Sequence, residues 1–368
     1  MIRSIAHKLR ALVFPPVQYV ALKAAASRGP MHVLLPEERV PTPETAKMTF
    51  EAFSRDLSAP VYTAPTVYTT TLSGARYCAT THCVLDREGA VINESTTPGG
   101  RALYFPPGTF NRPVRRVRGV ATSFRCCFND FYHLLVDNLP RLDLLNFDHF
   151  RDYPSISLLC PELTPLERFF VEKLLPENVT IVETPPGYLY EPDQFLFNTF
   201  ITSQASGYLR GPFVKRLHTR LGLTPNAPRT ERILVSRARA AKGRRVLNEA
   251  DLLDALRPYG FKRYVLEDLS IAEQIDLFHR AEAVVAPHGA GLSHLLFSPH
   301  TAVLELFASP IVIPHYYLLS KSLGHDYHFL TGSRAHHDEN FRVVVSDVEA
   351  RVSAMLSPSR SIPESSSG

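Results

Sequence analysis

The spacing of apolar and polar positions makes the second half of the chain regular and the first half less so. ERILVSR, Glu231 to Arg237, has the short apolar run of a strand. NEADLLDALRPYG then predicts a helix with Asn248 at the N-cap, Leu252, Leu253, Ala255 and Leu256 on its apolar side, and Gly260 as terminator. Phe261 to Leu266 reads as a second strand. Ser270 and Glu273 make a capping box ahead of IAEQIDLFHRA, where Ile271, Ile275 and Phe278 recur near helical spacing. AVVAP predicts a third strand, GLSHLLFS a short helix and AVLELF a fourth strand. This alternation predicts a parallel sheet with right-handed crossovers, in which ligands sit at the carboxyl ends of the strands.

In the first half, Val61 to Leu72 and the runs CVLDRE and AVINEST on either side of Gly89 read as β segments. Phe131 to Leu145 predicts a helix interrupted near Pro140. ISLLC, TPLERFFVEKLLP and VTIVE predict a further βαβ unit, with Thr164 as cap, Pro165 at the first helical position and Glu167 closing the box. The Pro-rich LGLTPNAPRTE separates two α/β halves. The division expected is an arm and irregular segment over 1–58, domains over 59–222 and 223–350, and a disordered Ser/Pro-rich tail over 351–368.

Composition narrows the class. The 368 residues, 45% hydrophobic and 21% charged, suffice for two domains with their own cores. No run of about 18 apolar residues is present, so no membrane span is expected. The basic, apolar start MIRSIAHKLRALVFPPV reads as an amphipathic arm, packed or peripheral at a membrane, rather than a signal. A net charge of +4 is not that of a dedicated nucleic-acid binder. The charge is clustered, however: RTERILVSRARAAKGRR carries seven Lys/Arg against one Glu, and RPVRRVR adds four more. Such clusters point to a compact anion such as a phosphate. Cys78, Cys83, Cys126, Cys127 and Cys160 lack CxxC spacing, which disfavours a disulfide framework or zinc finger and makes a reducing cytoplasm the expectation.

Four places can carry chemistry. In PHGAGL, glycines at a strand-to-helix turn allow positive φ and close approach to a ligand, and the helix N-terminal amides of Gly289, Ala290, Gly291 and Leu292 make a seat for phosphate. His288 could bond the same anion or take part at the reacting centre; the plainer reading is a tight turn. In SRARAAKGRRVLN, Ser236, Arg237, Lys242, Arg244 and Arg245 leave a strand end and offer planar forks or point charges to phosphate, the plainer reading being a solvated loop. In NDFYHLLVDNLPRL, His133 and Asp137 lie four apart and share a helix face. Either could deprotonate a hydroxyl, or the two could merely bond each other. Arg141 fits a cleft or a buried pair. Glu305 in AVLELF could take the two hydroxyls of a ribose or pair with an arginine. The histidines, among them HDYH at His325 to His328 and the pair His336 and His337, make no HExxH or Cys/His array, so no metal is expected.

Taken together and in this order, FYHLLVDNLPRL, ILVSRARAAKGRRVLNEADLLDALRPYGF, LEDLSIAEQIDLFHRAEAVVAPHGAGLSHLLFSP and AVLELF resemble glycosyltransferase family 61. The resemblance implies an α/β, GT-B type fold of two Rossmann-like domains facing a cleft. The first would be the acceptor-side domain, the second the nucleotide-sugar-binding domain. It further implies an inverting, metal-independent transfer from a nucleotide-sugar donor to a glycan or other hydroxyl acceptor, with a place in surface polysaccharide synthesis. Arg237, Lys242, Arg244, Arg245 and the 289–292 amides would hold the diphosphate, Glu305 the ribose, and Asn248 the loop. Asp137 is the first choice for the base, with His133 and His288 as rivals. The chain departs from the family where His133 is followed by Leu134 rather than Trp, and it has no Trp at all to stack on a sugar. Two other classes remain: a non-catalytic nucleotide-sugar-binding or scaffold protein, and an RNA binder, which the lack of aromatics among the arginines disfavours.

Overall fold

The structure, a computed structural model, describes residues 17–26, 29–42, 57–58, 61–128, 130–203, 207–240, 243–308, 313–334 and 339–357. The chain divides into two compact units, Met1–Gly222 with Ile313–Leu318, and Leu223–Val312 with Leu319–Gly368.

The first unit is built on a mixed sheet. Its strands include β1 (Val67–Leu72), β2 (Arg76–Cys78), β3 (Val114–Thr122), β4 (Ile156–Cys160), β5 (Val179–Glu183) and β6 (Leu189–Asn198). β6, β3, β4 and β5 run parallel in that spatial order, and β1 and β2 pair antiparallel with the other side of β6. The antiparallel flank departs from the simple parallel sheet expected of a Rossmann-like half. The short connections after Leu72 and around Gly89 are long enough for hairpin returns but not for helical crossovers. Ala121, Leu159, Phe195 and Phe197 join Tyr77 in the core across the parallel and antiparallel parts.

The predicted βαβ unit is present. Helix α1 (Pro165–Leu174) begins with the full capping box: the Glu167 amide donates to Thr164 Oγ1, and Glu167 Oε2 accepts from the Thr164 amide. Phe170, Val171 and Leu174 bury its apolar side. Thr164→Ala removes the cap and is expected to cost about 1 kcal/mol, read as a lower urea midpoint at unchanged m. The 1–58 stretch is less irregular than expected, because Tyr19–Val20 pairs parallel with Val91–Ile92 and His32–Leu35 pairs with β1. Residues 1–16, which hold most of the basic arm, lie outside the described residues.

The second unit carries five parallel strands: β7 (Glu231–Ser236), β8 (Phe261–Val265), β9 (Ala281–Pro287), β10 (Ala302–Phe307) and β11 (Asp326–Thr331). Their spatial order is β8-β7-β9-β10-β11. The continuous apolar runs of β9 and β10 follow from coverage on both faces, with Val284, Val285, Leu304 and Leu306 all fully buried. Helices α2 (Glu249–Leu256) and α3 (Ile271–His279) supply the crossovers, the latter with the predicted Ser270–Glu273 capping box. Asn248 occupies the N-cap position without capping. Its side-chain amide instead donates to the Val343 carbonyl and accepts from the Val343 amide, tying the loop to a distant segment. β11 is an edge strand of mostly half-buried residues, and its HDYH composition hid it from the pattern. The expected disordered tail is corrected in part: helix α4 (Val345–Leu356) passes residue 351 with Val348 and Val352 buried, and 358–368 lie outside the described residues. Among the described residues no helix is long and apolar enough to cross a membrane.

Candidate active site

The strand order of the second unit decides where its ligand sits. From β7 the chain moves to β8 on one side, then returns to β9 on the other, so the carboxyl ends of β7 and β9 flank the point where the order reverses. Open parallel sheets bind ligands in the crevice at this point. Arg237 directly follows β7, and His288 and Gly289 directly follow β9. The two sequence motifs therefore meet at one edge, as their places after strands predict.

Contact between them explains the first glycine of HGAG. A Cβ on Gly289 would stand 2.0 Å from Arg237 Nη1 and 3.0 Å from its Cζ, so the guanidinium packs on the bare Cα. The expected positive φ is not the reason: Gly289 has φ 162°, an extended backbone open to any residue. Arg237 is further oriented by donating from Nε to the Gly243 carbonyl. Gly291 serves packing, since a Cβ there would lie 3.2 Å from Leu266 and 3.5 Å from Val235 at the end of β7. The turn continues as a 3-10 helix over Ala290–Phe297. The first-turn amides of Ala290 and Gly291 have no intrahelical acceptor. Leu292 differs from expectation, because its amide donates to the Gly289 carbonyl and closes the first turn.

His288 and Glu305 form a pair at the same edge. His288 Nδ1 lies 2.5 Å from Glu305 Oε1, and the Tyr327 hydroxyl donates to Glu305 Oε2 at 2.5 Å. Glu305 is fully buried with both oxygens engaged, which corrects the ribose role expected for it. It positions His288 instead, whose ring also stacks on Phe307 at 5.0 Å. Tyr327 escaped the sequence reading. Register explains its place: Val303 faces Tyr327 and Glu305 faces Phe329, so Tyr327 is the diagonal same-face neighbour of Glu305. Tyr327→Phe leaves a buried carboxylate oxygen short of a donor, a loss of about 1–3 kcal/mol. It is expected to lower thermal stability and to loosen His288.

The other expected donor ligands are mostly held within the protein. Ser236 is buried, donating to Glu249 Oε1 and accepting from the Ala238 amide, so it braces the loop rather than facing a ligand. Arg244, in a left-handed conformation with φ 68°, pairs with Glu339 at 3.6 Å. Arg245 reaches the Ala240 carbonyl, and its amide donates to Asn340. Lys242 lies outside the described residues. Elsewhere in the basic run, Arg232 binds Glu282 and Arg239 binds Asp268. Two arginines of RPVRRVR are likewise engaged, Arg115 over the Tyr188 ring and Arg116 on Glu191. Among the described residues no His, Cys, Asp or Glu cluster of three or more is arranged to hold a metal ion.

In the first unit, the segment from Phe131 to Asp143 is helical throughout, but Leu134–Asn138 widens into a π turn. The Leu139 amide donates to the Leu134 carbonyl, five residues back. Widening spreads the carbonyls ahead of Pro140, so the ring is accommodated without the interruption the sequence suggested. Asp137 is 2% exposed, accepting at Oδ2 from His133 Nδ1 at 2.5 Å and at Oδ1 from the Thr202 hydroxyl at 2.6 Å. With both oxygens engaged and no open face, Asp137 is corrected from first choice of base to positioning residue. His133 is the exposed partner, its side chain 22% accessible and stacked on Phe128 at 4.8 Å. Burial opposes its protonation, but the Asp137 hydrogen bond and the charges of Asp137 and Asp130 outweigh it and raise the imidazole pKa. With Nδ1 turned to Asp137, Nε2 is left to accept a proton.

Arg141 resolves to the interior. It donates to the carbonyls of Asn198 and Arg125 and lies over the Phe200 ring at 4.4 Å, fully buried, which lowers its pKa to about 10.

The Glycosyltransferase 61 family model matches residues 131–304, which span the His133–Asp137 pair, the Arg237 loop and the HGAG turn. The chain is 32% identical over 120 residues to the EGF domain-specific O-linked N-acetylglucosamine transferase of Pan troglodytes, covering 30% of this chain and 23% of that protein. The same enzyme of Gallus gallus is 33% identical over 119 residues, covering 30% and 22%. The Beta-1,2-xylosyltransferase of Arabidopsis thaliana is 27% identical over 107 residues, covering 25% and 20%. The chain thus spans less than a quarter of the length of these relatives. Residues 131–304 of this chain thus match glycosyltransferase family 61.

Proposed function

We propose that this chain is a glycosyltransferase that moves a sugar from a nucleotide-sugar donor to a hydroxyl of a glycan or other acceptor. The observation that carries the reading is the Arg237 guanidinium seated on Gly289 at the switch point of the parallel sheet, inside the segment matched by the family. A cationic fork beside the first-turn amides of Ala290 and Gly291 suits the diphosphate of a nucleotide sugar. His288, fixed by Glu305 and Tyr327, is a further donor to the same group.

Displacement at the anomeric carbon requires an acceptor oxygen that loses its proton as the new bond forms. The bond from the anomeric carbon to the diphosphate oxygen breaks, and its electron pair leaves with the nucleoside diphosphate. His133 Nε2 accepts the acceptor's proton, and Asp137 stabilises the resulting imidazolium. Arg237 and the turn amides meet the growing charge on the leaving group. We read this as a single inverting displacement without metal in a GT-B type enzyme, working on surface polysaccharide in the cytoplasm.

The raised pKa of His133 fixes a sign for the pH dependence. A base works only when neutral, so turnover rises with pH through a midpoint above the ordinary histidine value of about 6.5. Asp137→Asn removes the larger of the charges that raise this pKa and leaves only Asp130, so the acid limb of the profile moves to lower pH while the plateau drops. An acid limb unmoved by Asp137→Asn contradicts the assignment.

A thermal-shift screen against nucleotide sugars, among them those carrying N-acetylglucosamine and xylose, tests the function itself. A ligand at 100 times its Kd stabilises the native state by about 2.7 kcal/mol. At least one is expected to raise Tm in the wild type and to lose that effect in Arg237→Ala.

A further inference from the structure

The first unit holds a cavity that the transfer chemistry described so far does not use. It encloses about 470 Å³, and its lining includes Lys23, Tyr68, Glu94, Thr199, Phe200 and Thr202. That volume falls within the range of about 300–1,000 Å³ common to small-ligand clefts. We propose that this cavity binds the end of a neutral glycan and so holds the acceptor; the proposal rests on the glycosyltransferase reading.

Thr202 ties the cavity to the chemistry. It lines the wall, and its hydroxyl is the one that donates to Asp137 Oδ1, whose other oxygen holds His133. A ligand in the cavity is therefore one residue removed from the support of the base, within the same unit.

The lining also selects the class of ligand. Tyr68 and Phe200 are the aromatic residues of the lining, the kind of side chain that meets the C–H side of a pyranose in a chain without Trp. Phe200 is held in place, because the fully buried Arg141 guanidinium lies over its ring and is itself pinned by two backbone carbonyls. Glu94 is anchored by accepting the Leu22 amide at 2.8 Å on Oε2. A carboxylate so held accepts from sugar hydroxyls, and repels a uronic acid or sialic acid. Lys23 adds donors for ring and hydroxyl oxygens. A lipid chain would set the half-buried Glu94 carboxylate against hydrocarbon, which is costly.

Saturation-transfer NMR provides the test, with methyl β-lactoside, methyl β-cellobioside and methyl α-maltoside as neutral probes and methyl β-glucuronide as the acidic one. At least one neutral probe is expected to bind, and the glucuronide to bind more weakly than that probe. Tyr68→Ala should abolish the signal. Glu94→Gln keeps the shape and the Leu22 contact, and should weaken binding at least tenfold. Arg237→Ala should bind the probe as the wild type does. Absence of binding by all neutral probes, unchanged binding in both Tyr68→Ala and Glu94→Gln, or preference for the glucuronide overturns the proposal. The two readings fail separately. A protein that binds a nucleotide sugar but no neutral probe sinks the cavity proposal and leaves the transferase reading standing. One that binds the probe through Tyr68 and Glu94 but no nucleotide sugar sinks the transferase reading, and the acceptor role with it.

Discussion

Replacing His133 by alanine is expected to lower turnover by roughly 10²–10⁴-fold, the usual contribution of a positioned general base. The KM for the nucleotide sugar should stay near the wild-type value, because His133 is assigned to the acceptor's proton and not to the donor. Asp137→Asn should fall by less in rate but shift the pH profile, since it acts through His133. Thr202→Val removes the hydroxyl that donates to Asp137 Oδ1 and leaves that oxygen buried and short of a partner. It should resemble a weaker Asp137→Asn. Steady-state rates across pH for the three variants separate a base from its supports. A His133→Ala enzyme with wild-type turnover removes the base from this residue.

Gly289→Ala is expected to disable donor binding without unfolding the protein. The added Cβ meets only the far end of a flexible side chain, Arg237 Nη1 at 2.0 Å, so the guanidinium can move away and stability should change by less than about 1 kcal/mol. What is lost is the position of the cation. A hydrogen bond to a charged group contributes about 1.5–3 kcal/mol, so donor KM should rise roughly 10–100-fold, as in Arg237→Ala. The double variant gives the sharper comparison. With Arg237 already gone, the second change has nothing left to displace, and Gly289→Ala should add little. Additive losses in the double-mutant cycle contradict the contact as the cause. Gly291→Ala behaves differently, since its Cβ presses on the buried Leu266 and the end of β7, and should appear mainly as lost stability.

Much of the second unit was legible because its strands and helices satisfy local rules and global fold together. β9 and β10 are apolar enough to be buried on both faces, and the Ser270–Glu273 capping box is readable from four consecutive residues. Arg237 and Gly289 were likewise legible as residues just past strand ends. Their contact was not, because it depends on β9 lying beside β7 after an intervening strand and two helices. The glycine was expected for its backbone freedom and is needed for its missing side chain.

The full set of partners of the two carboxylates was not legible, for one common reason. Asp137 and Glu305 are each buried and shared between a histidine and a hydroxyl. The hydroxyls come from Thr202, 65 positions after Asp137, and from Tyr327 on the next strand. Neither has a local signature. The arginines show the converse effect: a charge run reads as a phosphate cradle, but Arg232, Arg239 and Arg244 are matched by carboxylates far along the chain. The π turn at Leu134–Asn138 was hidden as well, since Pro140 alone signals a break and not a widening.

The most direct measurement is release of nucleoside diphosphate from a panel of nucleotide sugars, followed for the wild type, Arg237→Ala and His133→Ala with and without a neutral glycan acceptor. The wild type is expected to turn over at least one donor, faster with acceptor present. Arg237→Ala should show a raised donor KM, and His133→Ala a depressed rate at an unchanged donor KM. A wild-type protein that turns over none of the donors, or an Arg237→Ala variant that turns them over as the wild type does, contradicts the account.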